Sequence, residues 1–192
     1  MTRDEANLIL TKYLKTPNLL KHSLAAEVVM KALYRNFYQN TPEYNPLTEE
    51  EWGITGLLHD ADYEMCKGRP EIHGILIIDK EGDKIPPAIA YAIKAHNYER
   101  TFVLPKSLLD WSIACCDQLT GLIVAATLIH PDKKLSSVTA DYVMNRYKDK
   151  SFAKGAHRES IEKCEEKLGI PLPEFIQICL TPMQGISTEL GL

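Results

Sequence analysis

Four histidines and two aspartates sit among apolar neighbours between positions 22 and 117, and all six are of the kinds that bind metal ions. Asp117 lies in WSIACCDQLTGLIVAATLI, on nearly the same helical face as Ile113, Ala114, Gly121 and Val124. An ionised carboxylate on such a face costs several kcal/mol unless a cation or strong donors compensate it. His22 lies in LLKHSLAAEVVM, where Ala25, Ala26 and Val29 leave room beside its ring. His59 and Asp60 end the apolar run ITGLLHD, at a helix end where the turning backbone lets both side chains reach one centre. His96 follows Ile89 and Ile93 at intervals of four and three, and His73 stands one turn ahead of Leu76 and Ile77, so both are expected to face inward.

Taken singly, each has an ordinary explanation: a buried Asp bonded to a neighbouring helix, or a core His with a satisfied ring. Six inward-facing groups together point instead to one or two bound divalent ions. Nitrogen and oxygen ligands without thiolate suit Fe, Mn, Ni, Co or Zn, and the imidazoles make Mg a poorer match. His130, before Pro131 in a polar turn, and His157, in KGAHRES, are expected at the surface and outside the ligand set. Cys115 and Cys116 read as small core residues.

Helices must carry these groups. Apolar residues recur at threes and fours, with Pro and Gly between the periodic stretches. The pattern predicts an all-α chain with helices near Arg3–Leu14, Pro17–Tyr38, Thr48–His59, Pro70–Lys80, Pro86–His96, Pro105–Ile129, Ser137–Tyr147, Ala156–Leu168 and Pro173–Leu190. Thr48 with Glu51 makes a capping box, and Pro70, Pro87, Pro105 and Pro173 suit first helical turns. The stretch Gly74–Asp79 could pass for a buried strand, but its place after Pro70 favours helix.

With 192 residues, and roughly 150 residues per domain, the chain reads as a single domain over 1–192. A metal-binding core of about 17–130 would be followed, after the polar break His130–Ser136, by a C-terminal helical extension of about 131–192. Against 26 Asp plus Glu stand 22 Lys plus Arg, a net charge of -4 that gives no reason to expect duplex nucleic acid or an anionic membrane as partner. The longest apolar stretch, around Leu119–Ile129, falls short of the roughly 20 residues that span a bilayer. Five cysteines without a CxxC spacing suggest reduced thiols, and the amphipathic MTRDEANLILTKYLK lacks a leader pattern, so a cytoplasmic protein is expected. A homodimer is left open.

The order His22, then His59-Asp60, then Asp117 resembles the signature of the HD superfamily of metal-dependent phosphohydrolases, with the dyad in ITGLLHDADYE. His73-Gly74 and His96 in KAHN resemble the extra histidines of its HDIG-type, two-metal branch. The likeness covers about His22 to Val124; the segments after it are similar to a group of small HD proteins known only as predicted hydrolases. There are departures: Ala61-Asp62 replaces the Ile-Gly after the dyad, Tyr63 stands where the HD-GYP branch has Lys, and Asn97 replaces that branch's second consecutive histidine. These argue against cyclic-dinucleotide hydrolysis.

The resemblance implies an HD-type helical bundle with one metal on His22, His59, Asp60 and Asp117 and a second on His73 and His96. Asp60 would bridge as the catalytic residue, with a water or Asp62 completing the second position. It implies hydrolysis of a phosphoester in a small phosphorylated molecule or nucleotide by metal-activated water. A diiron oxygenase and a non-catalytic metal or nucleotide sensor are the alternatives. Substrate phosphate would need cations, and the basic stretch Lys133, Lys134, Lys148, Lys150, Lys154 and Arg158 lies just beyond Asp117. Although a solvated face is the commoner role for such residues, Lys150 and Arg158 are the expected substrate-binding pair, with Phe152 anchoring their segment.

Overall fold

A computed structural model describes residues 1–38 and 47–192, and among these the chain is all helical. Eleven α-helices follow in order: α1 Arg3–Tyr13, α2 Pro17–Tyr38, α3 Glu49–Leu58, α4 Leu76–Glu81, α5 Pro87–His96, α6 Tyr98–Thr101, α7 Leu108–Ile129, α8 Ala140–Lys148, α9 Arg158–Lys163, α10 Leu172–Gly185 and α11 Ser187–Leu190. Capping boxes start three of them: Thr2 with Glu5, Thr48 with Glu51, and Ser107 with Asp110. Each box satisfies backbone N–H groups that a helix start leaves without partners.

The expected helix over Pro70–Lys80 is a correction. Only a single 3₁₀ turn forms at Pro70–Ile72, and α4 begins at Leu76. Gly74 breaks the run at φ 87°, a left-handed conformation that glycine adopts without steric cost. A Cβ there would also lie 2.6 Å from the Ile93 carbonyl of α5. Pro105 likewise precedes its helix, because the Ser107–Asp110 box fixes the start of α7 at Leu108. The Ala156–Leu168 helix is split into α9 and a π turn at Cys164–Leu168, closed by Gly169 at φ 68°.

Two apolar clusters hold the helices. One gathers Ile9 and Leu10 of α1 and Leu14 just after it, Ile54, Leu57 and Leu58 of α3, Ile77 of α4, and Ile89 and Ile93 of α5. The other joins α2, α7 and the C-terminal helices through Val29, Leu33, Ile113, Leu119, Ile123, Val143, Ile161, Phe175 and Leu180. Each such side chain contributes about 1.5–3 kcal/mol when fully buried. Although α7, at 22 residues, is long and apolar enough to cross a membrane, most of its most apolar window is buried inside the fold. It packs against α2, α5, α8, α9 and α10 and carries the buried Asp110 and the largely buried Asp117.

Among the described residues, α2 and α3 pack against each other most extensively. At Gly56 there is no room for a side chain: a Cβ would run into the Ala26 carbonyl and lie 2.8 Å from the Glu27 nitrogen. His22 is one turn from Ala26 and His59 one turn from Gly56. That backbone contact therefore brings the two histidines of different helices side by side.

Candidate metal centre

His59 is the C-cap of α3, fully buried, and Asp60 lies in the turn that follows. The His59 Nδ1–H donates to the carbonyl of Gly56 at 2.8 Å, and the His96 Nδ1–H donates to the carbonyl of Ile93 at 2.6 Å. A carbonyl can only accept, so Nδ1 carries a proton in both rings and Nε2 is the nitrogen left to meet a metal ion or a proton. His73 donates its Nδ1–H to Asp62 at 2.8 Å. The Thr120 hydroxyl donates to the Asp117 carbonyl at 2.7 Å, which leaves its oxygen to accept from His22 Nδ1 at 3.3 Å. All four imidazoles thus commit Nδ1 to the protein and turn Nε2 toward one another.

The Nε2 atoms of His22 and His59 lie 3.2 Å apart, and those of His73 and His96 are also 3.2 Å apart. Two ring nitrogens at that distance need a proton or a metal ion between them. Asp60 lies among them, with Oδ1 at 2.9 Å from His73, 3.6 Å from His59 and 3.7 Å from His96, and Oδ2 at 3.4 Å from His22. Asp117 Oδ1 is 2.9 Å from His22 and 3.5 Å from His59. Two ligand sets meet at Asp60, His22–His59–Asp60–Asp117 and Asp60–His73–His96, and a third group, Asp62–Cys66–His73, lies beside them, each with one ligand atom per residue within 4.8 Å of the others. The donor chemistry fits divalent transition-metal ions.

Burial opposes charge on His59, but Asp60 and Asp117 overcome it and hold its pKa up at about 9. Burial is likewise outweighed at His73, which Asp60 and Asp62 hold up at about 10. His96 is pushed down to about 4 by its burial and by the neighbouring His73 and His59. Although burial works against the charges of Asp60 and Asp117, the surrounding histidines hold both carboxylates below their ordinary range. Both acids remain ionised, and protons or a cation must balance them.

The residues around the ligands have identifiable tasks. Asp62 is fully buried and accepts from His73, from the Gly74 nitrogen at 3.0 Å and from the Ile77 nitrogen at 3.0 Å. Its oxygens are taken up by these N–H groups, so of the two groups the sequence offers for the second set, a water or Asp62, Asp62 orients His73 instead. Cys66 lies beside it, yet burial and the Asp62 carboxylate push that thiol up to about 12, so it stays a neutral thiol. Asn97, in place of a second consecutive histidine, donates to the Pro70 carbonyl at 2.9 Å and ties the His73 turn to the end of α5. Tyr63 packs edge-on against the His73 ring at 5.3 Å between centroids.

A cavity of about 330 Å³ opens onto Asp60, His73, His96 and Asp117, and Glu99, Arg100 and His157 also line it. A second opening of about 300 Å³ reaches His22 and Asp117 past Gly121 and Gly155. The structure does not bring the expected substrate-binding pair to either one. Lys150 is exposed away from both. The Arg158 guanidinium is taken up by backbone carbonyls, at 2.8 Å to Tyr147, 2.7 Å to Phe152 and 3.0 Å to Asp149, and so holds the 149–157 loop together from inside. His157, expected to be an ordinary surface residue, is the one that faces the cavity. Arg100 and Gln118 also line it, and neither stands out in sequence, because a single polar residue on a short helix or beside a buried Asp has no periodic signature.

No family model, curated protein or solved structure matches this chain.

Proposed function

We propose that the chain is a metal-dependent phosphohydrolase acting on a small phosphorylated molecule or nucleotide. The observation that carries this reading is the commitment of four Nδ1 atoms to protein acceptors, with the four Nε2 atoms turned toward Asp60 and Asp117. The ordered resemblance of His22, His59-Asp60 and Asp117 to the HD signature supports the same chemistry. Divalent ions held by these residues would activate a water as nucleophile and neutralise charge on a phosphoryl group.

The rest falls to the chain's own side chains. Asp60, shared by both ligand sets, would fix their spacing and is the proposed catalytic residue. Asp62, Thr120 and the Gly56 and Ile93 carbonyls hold the rings in one tautomer, so little reorganisation is needed at the moment of reaction. Arg100, exposed on the cavity wall, is a cation able to meet phosphate oxygens there. The cavity lies at the low end of the range for ligand sites, which favours a small substrate.

The test is phosphate release from a panel of sugar phosphates, nucleoside monophosphates and p-nitrophenyl phosphate, with Mn, Co or Fe added and with oxygen excluded. Release without oxygen supports the hydrolase. Metal binding with no product from the whole panel points to a sensor, and consumption of oxygen in a parallel aerobic incubation with Fe alone points to an oxygenase.

A further inference from the structure

Part of the lining of the same cavity is built from two pieces of chain that are far apart in sequence. The Glu99 carboxylate on α6 lies 3.5 Å from the His157 Nδ1 of the 149–157 loop. Both side chains are about half exposed, 42% for Glu99 and 49% for His157, and both line the cavity shared with Asp60, His73, His96 and Asp117. They are held firmly. The nearly buried Ser160 hydroxyl donates to Glu99 Oε1 at 3.3 Å. The His157 backbone N–H donates to Gln118 Oε1 at 3.2 Å, and the other end of that amide donates to Asp117 Oδ2 at 2.7 Å. Arg158, next in the chain, locks the loop by its carbonyls.

A carboxylate that accepts one or two hydrogen bonds has capacity for more, and the outer nitrogen of His157 has no hydrogen-bond partner among the described residues. A negative carboxylate facing this cavity repels a second phosphate and accepts from hydroxyl groups. We propose that Glu99 and His157 form a recognition subsite for the hydroxyl-bearing head group of a small phosphomonoester, a sugar phosphate or a nucleoside monophosphate, whose phosphate lies at the histidine–aspartate cluster. This rests on the phosphohydrolase reading and narrows its substrate class. Gln118 and Arg158 are positioning residues that act through His157.

The experiment compares ribose 5-phosphate, a nucleoside 5′-monophosphate and p-nitrophenyl phosphate in the wild type, Glu99→Leu and His157→Phe, with Mn present. Lost hydrogen bonds to a charged acceptor should lower kcat/KM for the hydroxyl-bearing substrates, relative to p-nitrophenyl phosphate, by roughly ten- to a hundred-fold. The loss should fall mainly on KM, since the head group is remote from the reacting bond. Whichever hydroxyl-bearing substrate shows the larger change identifies the source of the head group. An unchanged ratio in both variants overturns the subsite and leaves the phosphohydrolase reading intact. Calorimetric binding of ribose 5-phosphate to the Mn-loaded proteins is measured alongside. Binding that weakens in Glu99→Leu without any turnover in the wild type keeps the subsite and overturns the hydrolase, whereas binding of equal strength in all three proteins overturns the subsite.

Discussion

Asp62 accepts the Nδ1–H of His73 at 2.8 Å while its two oxygens also take the backbone N–H groups of Gly74 and Ile77. One buried carboxylate thereby fixes the ring, the tautomer and the turn of a histidine that no helix carries. Asp62→Asn leaves one acceptor oxygen for three N–H groups, so its NH2 faces a donor either at His73 or at the Gly74 and Ile77 backbone. The expected result is metal affinity at the Asp60–His73–His96 set about 10- to 100-fold weaker, with the His22–His59–Asp60–Asp117 set much less affected. Calorimetric Mn titration that resolves the two phases checks this, and parallel loss of both would show that Asp62 supports the whole centre.

Glycine-to-alanine substitutions at two helical positions should have opposite effects. Gly56→Ala forces α3 off the Ala26 carbonyl of α2 and is expected to destabilise the fold by about 1–3 kcal/mol. It should also weaken metal binding, since His22 and His59 are joined by that contact. At Gly121 a Cβ meets nothing within 4 Å, so Gly121→Ala should stabilise α7 by up to about 1 kcal/mol. Urea unfolding of the two variants measures both signs.

Much of this was legible from periodicity. Helical spacing placed His22, His96 and Asp117 on inward faces, because a helix face repeats and three or four apolar neighbours declare it. His73 was placed inward for the wrong reason: it sits in a turn set by Gly74, and a turn geometry depends on the Ile93 carbonyl across the chain. The role of Arg158 was hidden in the same way. Its charge suggests phosphate, but the carbonyls that occupy it become available only once the 149–157 loop has folded around it. Gln118 could not be singled out either, since its two partners lie on its own neighbour and 39 residues further on.

Acid should act on the fold at a place remote from the metal centre. Glu81, nearly buried, bonds Lys12 at 2.6 Å, the Tyr13 hydroxyl at 2.6 Å and Lys84 at 2.5 Å, which hold its pKa down to about 2 from 4.5. The unfolded chain binds a proton more readily in that window, so the stabilisation is complete above about pH 4.5 and lost as pH falls toward 2. Glu81→Gln should unfold more easily at neutral pH and show a flatter decline of stability between pH 5 and 2. Denaturant midpoints across that range provide the check; an unchanged slope would mean the cluster contributes nothing to acid sensitivity.

Asp60→Asn keeps the shape of the shared ligand and removes its charge. Turnover should fall far more than in Lys150→Ala, whose side chain reaches neither opening, and Arg158→Ala should act through displacement of His157, chiefly on KM. Steady-state kinetics on the three variants separates these effects.

The central claim is that the converging Nε2 atoms and carboxylates form a centre for divalent transition-metal ions. It is tested most directly by elemental analysis after equilibrium dialysis of chelator-treated protein against Mn, Fe, Co, Ni or Zn, with Asp60→Asn alongside. Two ions per chain are expected for the wild type with at least one of these metals, and a marked loss in Asp60→Asn. A wild-type chain that stays metal-free against all five would contradict it, and the paired imidazoles would then be held together by protons alone.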